Sequence, residues 1–463
     1  MRVSPGDTIA AISTALGPGA IAIVRLTGDR AVEVADGIFR GASLVECPTH
    51  TVHHGHIHDS RGREVDEVLA TVMRSPNTYT TEDMVEFGCH GGAMAARRVL
   101  EVCLEAGARL AERGEFTQRA FLSGRLDLVQ AEAVADLVAA ETPLGLELAL
   151  GQLEGGLSGR LSELRALVVD FRAEVESIID FVDQDIAPRT RGAIVALARS
   201  ARDAIDSLLS HCRVGVAVRE GVSVAIIGKP NVGKSSLMNA LLMRDRSIVT
   251  ALPGTTRDAI EECLHVEGVP VRLIDTAGWR EPKDEAEKAG VARAEAAAKG
   301  ADVVLLVVDA SSGLDDEDRF IGGAVDAERT VPVANKIDLG DVLTESDVRT
   351  LVAGGEAAGA MTAARVSALT GDGLDALRGR LLSAAVRGEG GGPASVTNVR
   401  HIDALTRTAS ALARAEAMLL EGEPPELVAV EAADAGQALG EVTGETTPED
   451  VLERIFERFC VGK

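Results

Sequence analysis

Lysine and aromatic side chains are nearly missing from this chain. Only seven of its 47 basic residues are lysine, and Phe, Trp and Tyr make up 2% of 463 residues, with a single Trp and a single Tyr. Such scarcity reads as a genomic composition bias. The acidic excess also suits a salty cytoplasm, and neither feature identifies a reaction. Positive charge is lacking overall: the formal net charge is −25. A free-standing nucleic-acid binder needs a basic face for phosphate contacts, so any RNA substrate must meet a local patch or a second, more basic subunit. The six cysteines (Cys47, Cys89, Cys103, Cys212, Cys263, Cys460) include no CxxC pair, which argues against a disulfide framework or a cysteine zinc site and for a reducing compartment. The N-terminus shows no basic-then-apolar signal pattern, and no apolar run reaches the roughly 20 residues of a membrane-spanning helix. A cytoplasmic protein without a membrane span is expected.

The length suggests roughly two to four domains. Residues 1–120 mix short apolar strands, such as 20–26 and 84–87, with helical patterns such as 94–106, an α+β signature. Residues 121–215 read as helical: Leu126, Leu128, Val129, Ala133, Val134 and Leu137 follow helical spacing, as do Leu161, Leu164, Leu167, Val168, Phe171, Val175 and Ile178. Helical pattern returns within 381–463, at 402–420 and 449–459, after a glycine-rich linker at 388–393. Residues 216–380 carry a different pattern. The expected fold class is multidomain α+β and α/β, with an N-terminal α+β domain and an α-helical domain split by an inserted Ras-like P-loop G domain.

The inserted segment opens on Gly228-Lys229-Pro230-Asn231-Val232-Gly233-Lys234-Ser235, a G-x-x-x-x-G-K-[ST] phosphate loop between an apolar strand and a helical run. Successive backbone N–H groups and a helix N-terminus converge there on one anionic site. Lys234 is expected at the β- and γ-phosphates and the Ser235 hydroxyl on Mg²⁺. Pro253-Gly254-Thr255-Thr256 offers a switch loop, with Thr256 a second Mg²⁺ ligand. Asp275-Thr276-Ala277-Gly278 ends a strand, with Asp275 reaching Mg²⁺ through water and the Gly278 N–H facing the γ-phosphate. The strand at 303–308 is buried. Asn335-Lys336-Ile337-Asp338 selects the base, because the Asp338 carboxylate can accept from guanine N1–H and the exocyclic amine, a donor pair adenine lacks. Ser367 and Ala368 lie where a loop can close over the base. The full set of GTP contacts expected is Asn231, Val232, Gly233, Lys234, Ser235 and Ser236; Thr250, Ala251, Leu252, Pro253, Gly254, Thr255 and Thr256; Asp275, Thr276, Ala277 and Gly278; and Asn335, Lys336, Asp338, Ser367 and Ala368.

Trp279 stands where small signalling GTPases carry a water-orienting glutamine. An indole donates but cannot accept, so Trp279 reads as cover for apolar surface. Catalysis must then come from elsewhere, with Glu281, Glu285 and Glu287 in the acidic segment that follows. Arg257 and Arg280 flank the site, but spacing assigns neither as an arginine finger. Elsewhere, His54, His56 and His58 would share one strand face beside His53, with Asp59 the only evident carboxylate partner. They read as a solvated strand edge rather than a metal site. Cys460 reads as a packed residue positioning the tail, the alternative being a nucleophile activated by Lys463. Arg25 and Glu86, taken alone, are ordinary strand-end charges.

The nucleotide motifs, together with Ile23–Gly28, Gly114–Phe121, Leu126–Ala133 and the terminal Phe459-Cys460-Val461-Gly462-Lys463, resemble the MnmE (TrmE) family of tRNA-modification GTPases, within the TrmE–Era–septin-like group. The resemblance spans essentially the whole chain. It implies a K⁺ ion near the β–γ bridge in place of an arginine finger, held by Asn231, Thr250, the Leu252 main chain and Thr255, and a catalytic Glu287 that orients water. It implies a homodimer whose G domains meet face to face. In the N-terminal domain it implies a site for 5-formyl- or 5,10-methylene-tetrahydrofolate facing Arg25, Glu86, Arg125 and Lys463, where the family often has lysine in place of Arg125. The 14–19 loop departs from the family pattern. The implied reaction modifies carbon 5 of the tRNA wobble uridine with a flavoprotein partner, MnmG, which supplies FAD and most of the tRNA surface. A GTPase switch of ribosome assembly or translation, without one-carbon chemistry, is the alternative class. A folate-binding structural subunit with an idle G domain is a third.

Overall fold

A computed structural model describes residues 6–180, 191–210, 212–243, 261–275, 295–352, 362–385 and 395–463. It forms two compact units. One comprises Met1–Ala139, Ala149–Asp203 and Ala404–Lys463; the other comprises Ala140–Leu148 and Ala204–Asp403 and lies, in sequence, inside the first.

The first unit begins with β1 (Ile9–Ile12), β2 (Ile21–Thr27), α1 (Ala31–Ile38), β3 (Phe39–Arg40), β4 (Thr51–His58), β5 (Glu64–Met73), β6 (Met84–His90), α2 (Ala93–Glu105) and β7 (Arg109–Leu110). The strands make one sheet in the order β3-β4-β5-β6-β2-β1-β7, antiparallel except for β1 against β7. Strand alternation sends Val24, Leu26, Val68, Ala70, Val72, Val85 and Phe87 into a core that α1 and α2 cover with Ala31, Val34, Ala35, Ala96, Val99 and Cys103. On the opposite face Ile9 and Ala11 pack with Ala111 and Phe116, and there Arg25 stands directly across from Glu86.

The helices α3 (Glu115–Leu122), α4 (Leu128–Ala139), α5 (Gly156–Asp180) and α6 (Arg191–Ser210) follow. In α5, Leu157, Leu161, Leu164, Val168, Phe171 and Val175 are buried at intervals of three and four, the stripe its spacing predicts, while Leu167 and Ile178 are only half-buried.

The second unit holds β8 (Val222–Ile227), α7 (Lys234–Met243), β9 (Glu261–Val266), β10 (Val269–Asp275), β11 (Val303–Asp309), α8 (Asp316–Gly323), β12 (Thr330–Asn335), β13 (Ala364–Arg365) and α9 (Leu374–Ala385). Its sheet runs β13-β12-β11-β8-β10-β9, parallel except for the edge strand β9. β11 is apolar from Val303 to Val308 because it is buried on both sides: Val303, Leu305 and Val307 enter one core cluster, Val304, Leu306 and Val308 the other.

The chain returns to the first unit through α10 (Val399–Glu421), α11 (Pro425–Thr443) and α12 (Glu449–Phe456). Helix α11 is not among the helices the sequence pattern singles out, yet it packs along α5. Its buried residues are Val428, Ala432, Ala435, Ala438, Leu439, Gly440 and Val442, four of them alanine or glycine. Glu416 on α10 is buried and takes both Arg199 and Arg202 of α6. Beyond α12 the tail turns back to the sheet domain. Phe456 packs on Phe121 and Phe459, with ring centroids 6.2 and 5.5 Å away. Val461 bridges Arg113, and the Ser13 hydroxyl donates to the Gly462 carbonyl at 3.2 Å. The Cys460 thiol is exposed, contrary to the packed role expected of it. The residue anchors the tail through its carbonyl instead, which accepts from the Gly114 and Lys463 N–H groups.

Candidate functional site

The phosphate loop lies at the carboxyl end of β8, the crevice where open parallel sheets bind ligands. Close packing dictates its two framing glycines. A Cβ at Gly228 would sit 2.3 Å from the Val307 carbonyl oxygen, and one at Gly233 the same distance from Asn335 Nδ2. Gly233 also holds φ +97°, and between them Asn231 adopts a left-handed φ of 65°, which asparagine tolerates better than most residues. The loop thereby leads into the N-terminus of the ten-residue helix α7, the end of a helix that favours an anion. Lys234 is buried, and its Nζ donates to the carbonyls of Gly228 (3.0 Å) and Lys229 (2.9 Å), which holds an ammonium inside the loop before any anion arrives. Ser235 and Ser236 are exposed at the helix start, and the Val232 side chain is buried beneath the loop.

The Asn-Lys-Ile-Asp motif follows β12, and its residues divide into two braces and one exposed carboxylate. Buried Asn335 donates from Nδ2 to the Val232 carbonyl (2.9 Å) and accepts at Oδ1 from the Ala368 N–H (3.0 Å), tying three loops together. Lys336, itself at φ 68°, donates from Nζ to the Asn231 carbonyl and to Asp309 Oδ2, both at 2.7 Å. Asp338 alone is exposed, and the Ser367 hydroxyl donates to its Oδ1 at 2.5 Å. Asp309 escaped the sequence reading, though the apolar run at 303–308 ends on it. Burial pushes its carboxyl upward, but hydrogen bonds from Lys336 and Ser311 outweigh that and hold it below the usual range. Lys229, likewise unassigned, is clamped between Asp315 (2.7 Å) and Asp318 (2.8 Å). Asp275 closes β10. Thr250, Ala251, Leu252, Pro253, Gly254, Thr255, Thr256, Thr276, Ala277, Gly278, Trp279 and Glu287 lie outside the described residues.

A second polar cluster occupies the face of the first unit's sheet opposite α1 and α2. Arg25 Nε donates to Glu86 Oε1 at 2.7 Å. Its guanidinium lies 5.8 Å from the Tyr79 ring centroid and 5.6 Å from that of Phe116. Arg125 approaches the same tyrosine, 5.0 Å from the ring, and donates to the Tyr79 carbonyl at 3.1 Å. Tyr79 was missed from the sequence, although it is the only tyrosine in the chain. Burial pushes its phenol up, and its hydroxyl pairs with Thr117 at 2.9 Å. The tail brings Lys463 to the end of β1, the strand that pairs with Arg25's strand. Two cations, a carboxylate and aromatic faces are thus gathered in one place.

The histidine run departs from expectation. Asp59 is not its carboxylate partner: it is buried, accepts from the backbone N–H groups of Arg61 and Arg63, and pairs with the Arg63 and Arg98 guanidinium groups. The Arg63 N–H leads in holding its carboxyl down at about 2, against opposing burial. Because the folded value is depressed, Asp59 contributes stability above the ordinary carboxylate range and loses it as pH falls through about 2. Asp59→Ala is therefore expected to lower Tm at pH 7, with the gap to the wild type closing as melting is repeated toward pH 2.

A phosphate loop on a parallel sheet, with a buried lysine inside it and an Asn-Lys-Ile-Asp motif braced against it, defines a P-loop GTPase. Family models narrow this class: residues 8–125 match the "GTP-binding protein TrmE N-terminus" and residues 128–460 match the "MnmE helical domain". The tRNA modification GTPase MnmE of Geobacillus kaustophilus is 45% identical, covering 99% of each chain, and that of Geobacter sulfurreducens is 46% identical at the same coverage. The chain belongs to the MnmE family, and it is a GTP hydrolase acting in tRNA modification. No helix among the described residues is long and apolar enough to cross a membrane.

Proposed function

We propose that this chain is a K⁺-dependent GTPase, activated by homodimerisation, that works with the flavoprotein MnmG to add a (carboxymethyl)aminomethyl-type group to C5 of the tRNA wobble uridine from a tetrahydrofolate one-carbon donor. The observation that carries this reading beyond GTP hydrolysis is the gathering of Arg25, Glu86 and Arg125 around Tyr79, beside the folded-back tail. A GTPase acting only as a switch has no use for such a cluster. Folate offers complementary groups: an anionic glutamate tail for an arginine, a guanidine-like pterin edge for a carboxylate, and a flat ring for an aromatic face.

At the nucleotide site the chain's own residues do most of the work. Lys234 exchanges its two carbonyl acceptors for phosphate oxygens. The backbone amides of 231–235 hold the β-phosphate, and Asp338 reads guanine while Ser367 fixes its carboxylate. Ser235 and Thr256 would hold Mg²⁺, and Asn231, Thr250, Leu252 and Thr255 would hold K⁺, the two ions supplying positive charge as the γ-phosphoryl leaves. Glu287 is proposed to orient the attacking water. The acidic net charge fits a division of labour in which the partner supplies most of the tRNA surface.

Calorimetric titration with 5-formyl-tetrahydrofolate tests the reading. The wild type is expected to bind saturably, and Arg25→Ala to bind at least tenfold more weakly, since it leaves Glu86 without its cation. GTP binding should be the same in both. No folate binding by the wild type, with GTP hydrolysis intact, would leave the switch reading standing.

A further inference from the structure

The sheet domain carries a cluster that neither nucleotide nor folate chemistry uses. His54 and His56, two apart on β4, face the same way, and Glu67 of β5 joins them because it pairs in register with His56. One ligand atom from each of the three lies within 4.8 Å of the others. His54 Nε2 is 2.6 Å from Glu67 Oε1, and the two imidazoles meet edge to face with centroids 5.7 Å apart. The three side chains are 61%, 37% and 54% exposed, so an ion can reach them from solvent. A fourth residue orders the group: His56 Nδ1 lies 3.1 Å from Glu64 Oε1. A carboxylate on one ring nitrogen sets the tautomer and leaves Nε2 with its lone pair, the arrangement by which proteins orient metal-ligating histidines.

We infer that His54, His56 and Glu67 form a site for a borderline divalent transition ion, Zn²⁺ by preference, with Glu64 positioning His56. Two imidazoles and one carboxylate suit Zn²⁺, Co²⁺ or Ni²⁺ and disfavour Mg²⁺ and Ca²⁺, which take oxygen-rich shells. Three protein ligands leave a fourth position for water. The ion takes the place of the proton that joins His54 to Glu67. Its consequence is mechanical. β3 covers β4 only through the pairs Phe39–Ile57 and Arg40–His56, so β4 is held mainly by β5. A metal ligated from both strands staples that hairpin.

The test uses the full chain without an affinity tag, stripped of metal and saturated with GDP and Mg²⁺ so that the nucleotide site is filled. Titration with Co²⁺, read by visible absorption, is expected to show one saturable equivalent. His54→Ala and Glu67→Ala should each weaken binding by tenfold or more, and Glu64→Gln by about tenfold. His53→Ala, on the other face of the strand, should titrate as the wild type does. In parallel, Zn²⁺ should raise Tm of the wild type and not of His54→Ala, while GTP hydrolysis is unaffected by any of these substitutions. Equal Co²⁺ affinity in wild type and His54→Ala overturns the assignment. So does a sulfur-to-cobalt charge-transfer band, which would place the ion on a cysteine, or the absence of saturable binding below millimolar metal.

Discussion

Asp338→Asn is expected to turn guanine from the preferred base into a rejected one. A carboxylate accepts from both guanine N1–H and the exocyclic amine. A carboxamide keeps one acceptor and presents a donor where guanine also donates. Sites built on such matched hydrogen bonds discriminate by about 10⁴–10⁵, because a mismatch strands buried polar groups. The structure makes the effect selective for the base. Asp338 is the exposed member of its motif, whereas Asn335 and Lys336 brace the phosphate loop. The substitution should therefore leave phosphate binding and the fold intact. GTP affinity is expected to fall by roughly three orders of magnitude or more. Xanthosine triphosphate, whose C2 carbonyl accepts where guanine's amine donates, should bind the variant better than the wild type. Competition binding with both nucleotides decides the matter, and an unchanged preference for GTP over XTP contradicts the role given to Asp338. By contrast, a change at Asn335 should weaken all nucleotides alike, since its amide ties Val232 to Ala368.

Exchange of Na⁺ for K⁺ is the second large effect. GTP turnover is expected to rise by about 10²-fold or more, within the range that an arginine finger or a strong electrostatic stabiliser supplies. Asn231 is the proposed ligand whose surroundings the structure describes. It is exposed, its carbonyl is pinned by Lys336 at 2.7 Å, and its φ of 65° favours asparagine or glycine. Alanine would add backbone strain to the loss of the carboxamide, so Asn231→Gly is the informative variant: it keeps the left-handed backbone and removes only the ligand. It should bind GTP within about threefold of the wild type yet lose the K⁺ response. Glu287→Ala should likewise lose the gain without weakening GTP binding, since it removes water orientation and no phosphate contact. Equal turnover of the wild type in the two salts would remove the basis for placing K⁺ at Asn231.

The two halves of this chemistry are unequally legible in the sequence. The phosphate loop and the Asn-Lys-Ile-Asp motif are local: their spacing places each group on a loop after a strand, and continuous apolar runs mark β8 and β11. The braces around them are not legible. Asp309 and Lys336 are 27 positions apart and meet at 2.7 Å only because β11 and β12 pair in parallel. Tyr79 lies 46 positions from Arg125 and 54 from Arg25, and nothing in a lone tyrosine announces that two guanidinium groups flank it. Helix α11 is hard to read because four of its seven buried residues are alanine or glycine. A stripe of small residues carries little hydrophobic contrast, although it lets α11 lie close along α5.

By itself the sequence displays the phosphate loop and the Asn-Lys-Ile-Asp motif, since each is made of residues within a few positions of one another. Only the tertiary structure decided which distant side chains complete a site: that Glu67 rather than Asp59 faces the histidines, and that the C-terminal tail reaches the strands around Arg25. Strand register and chain return are global properties. They follow from burying every apolar face at once, and no short window of sequence contains that sum.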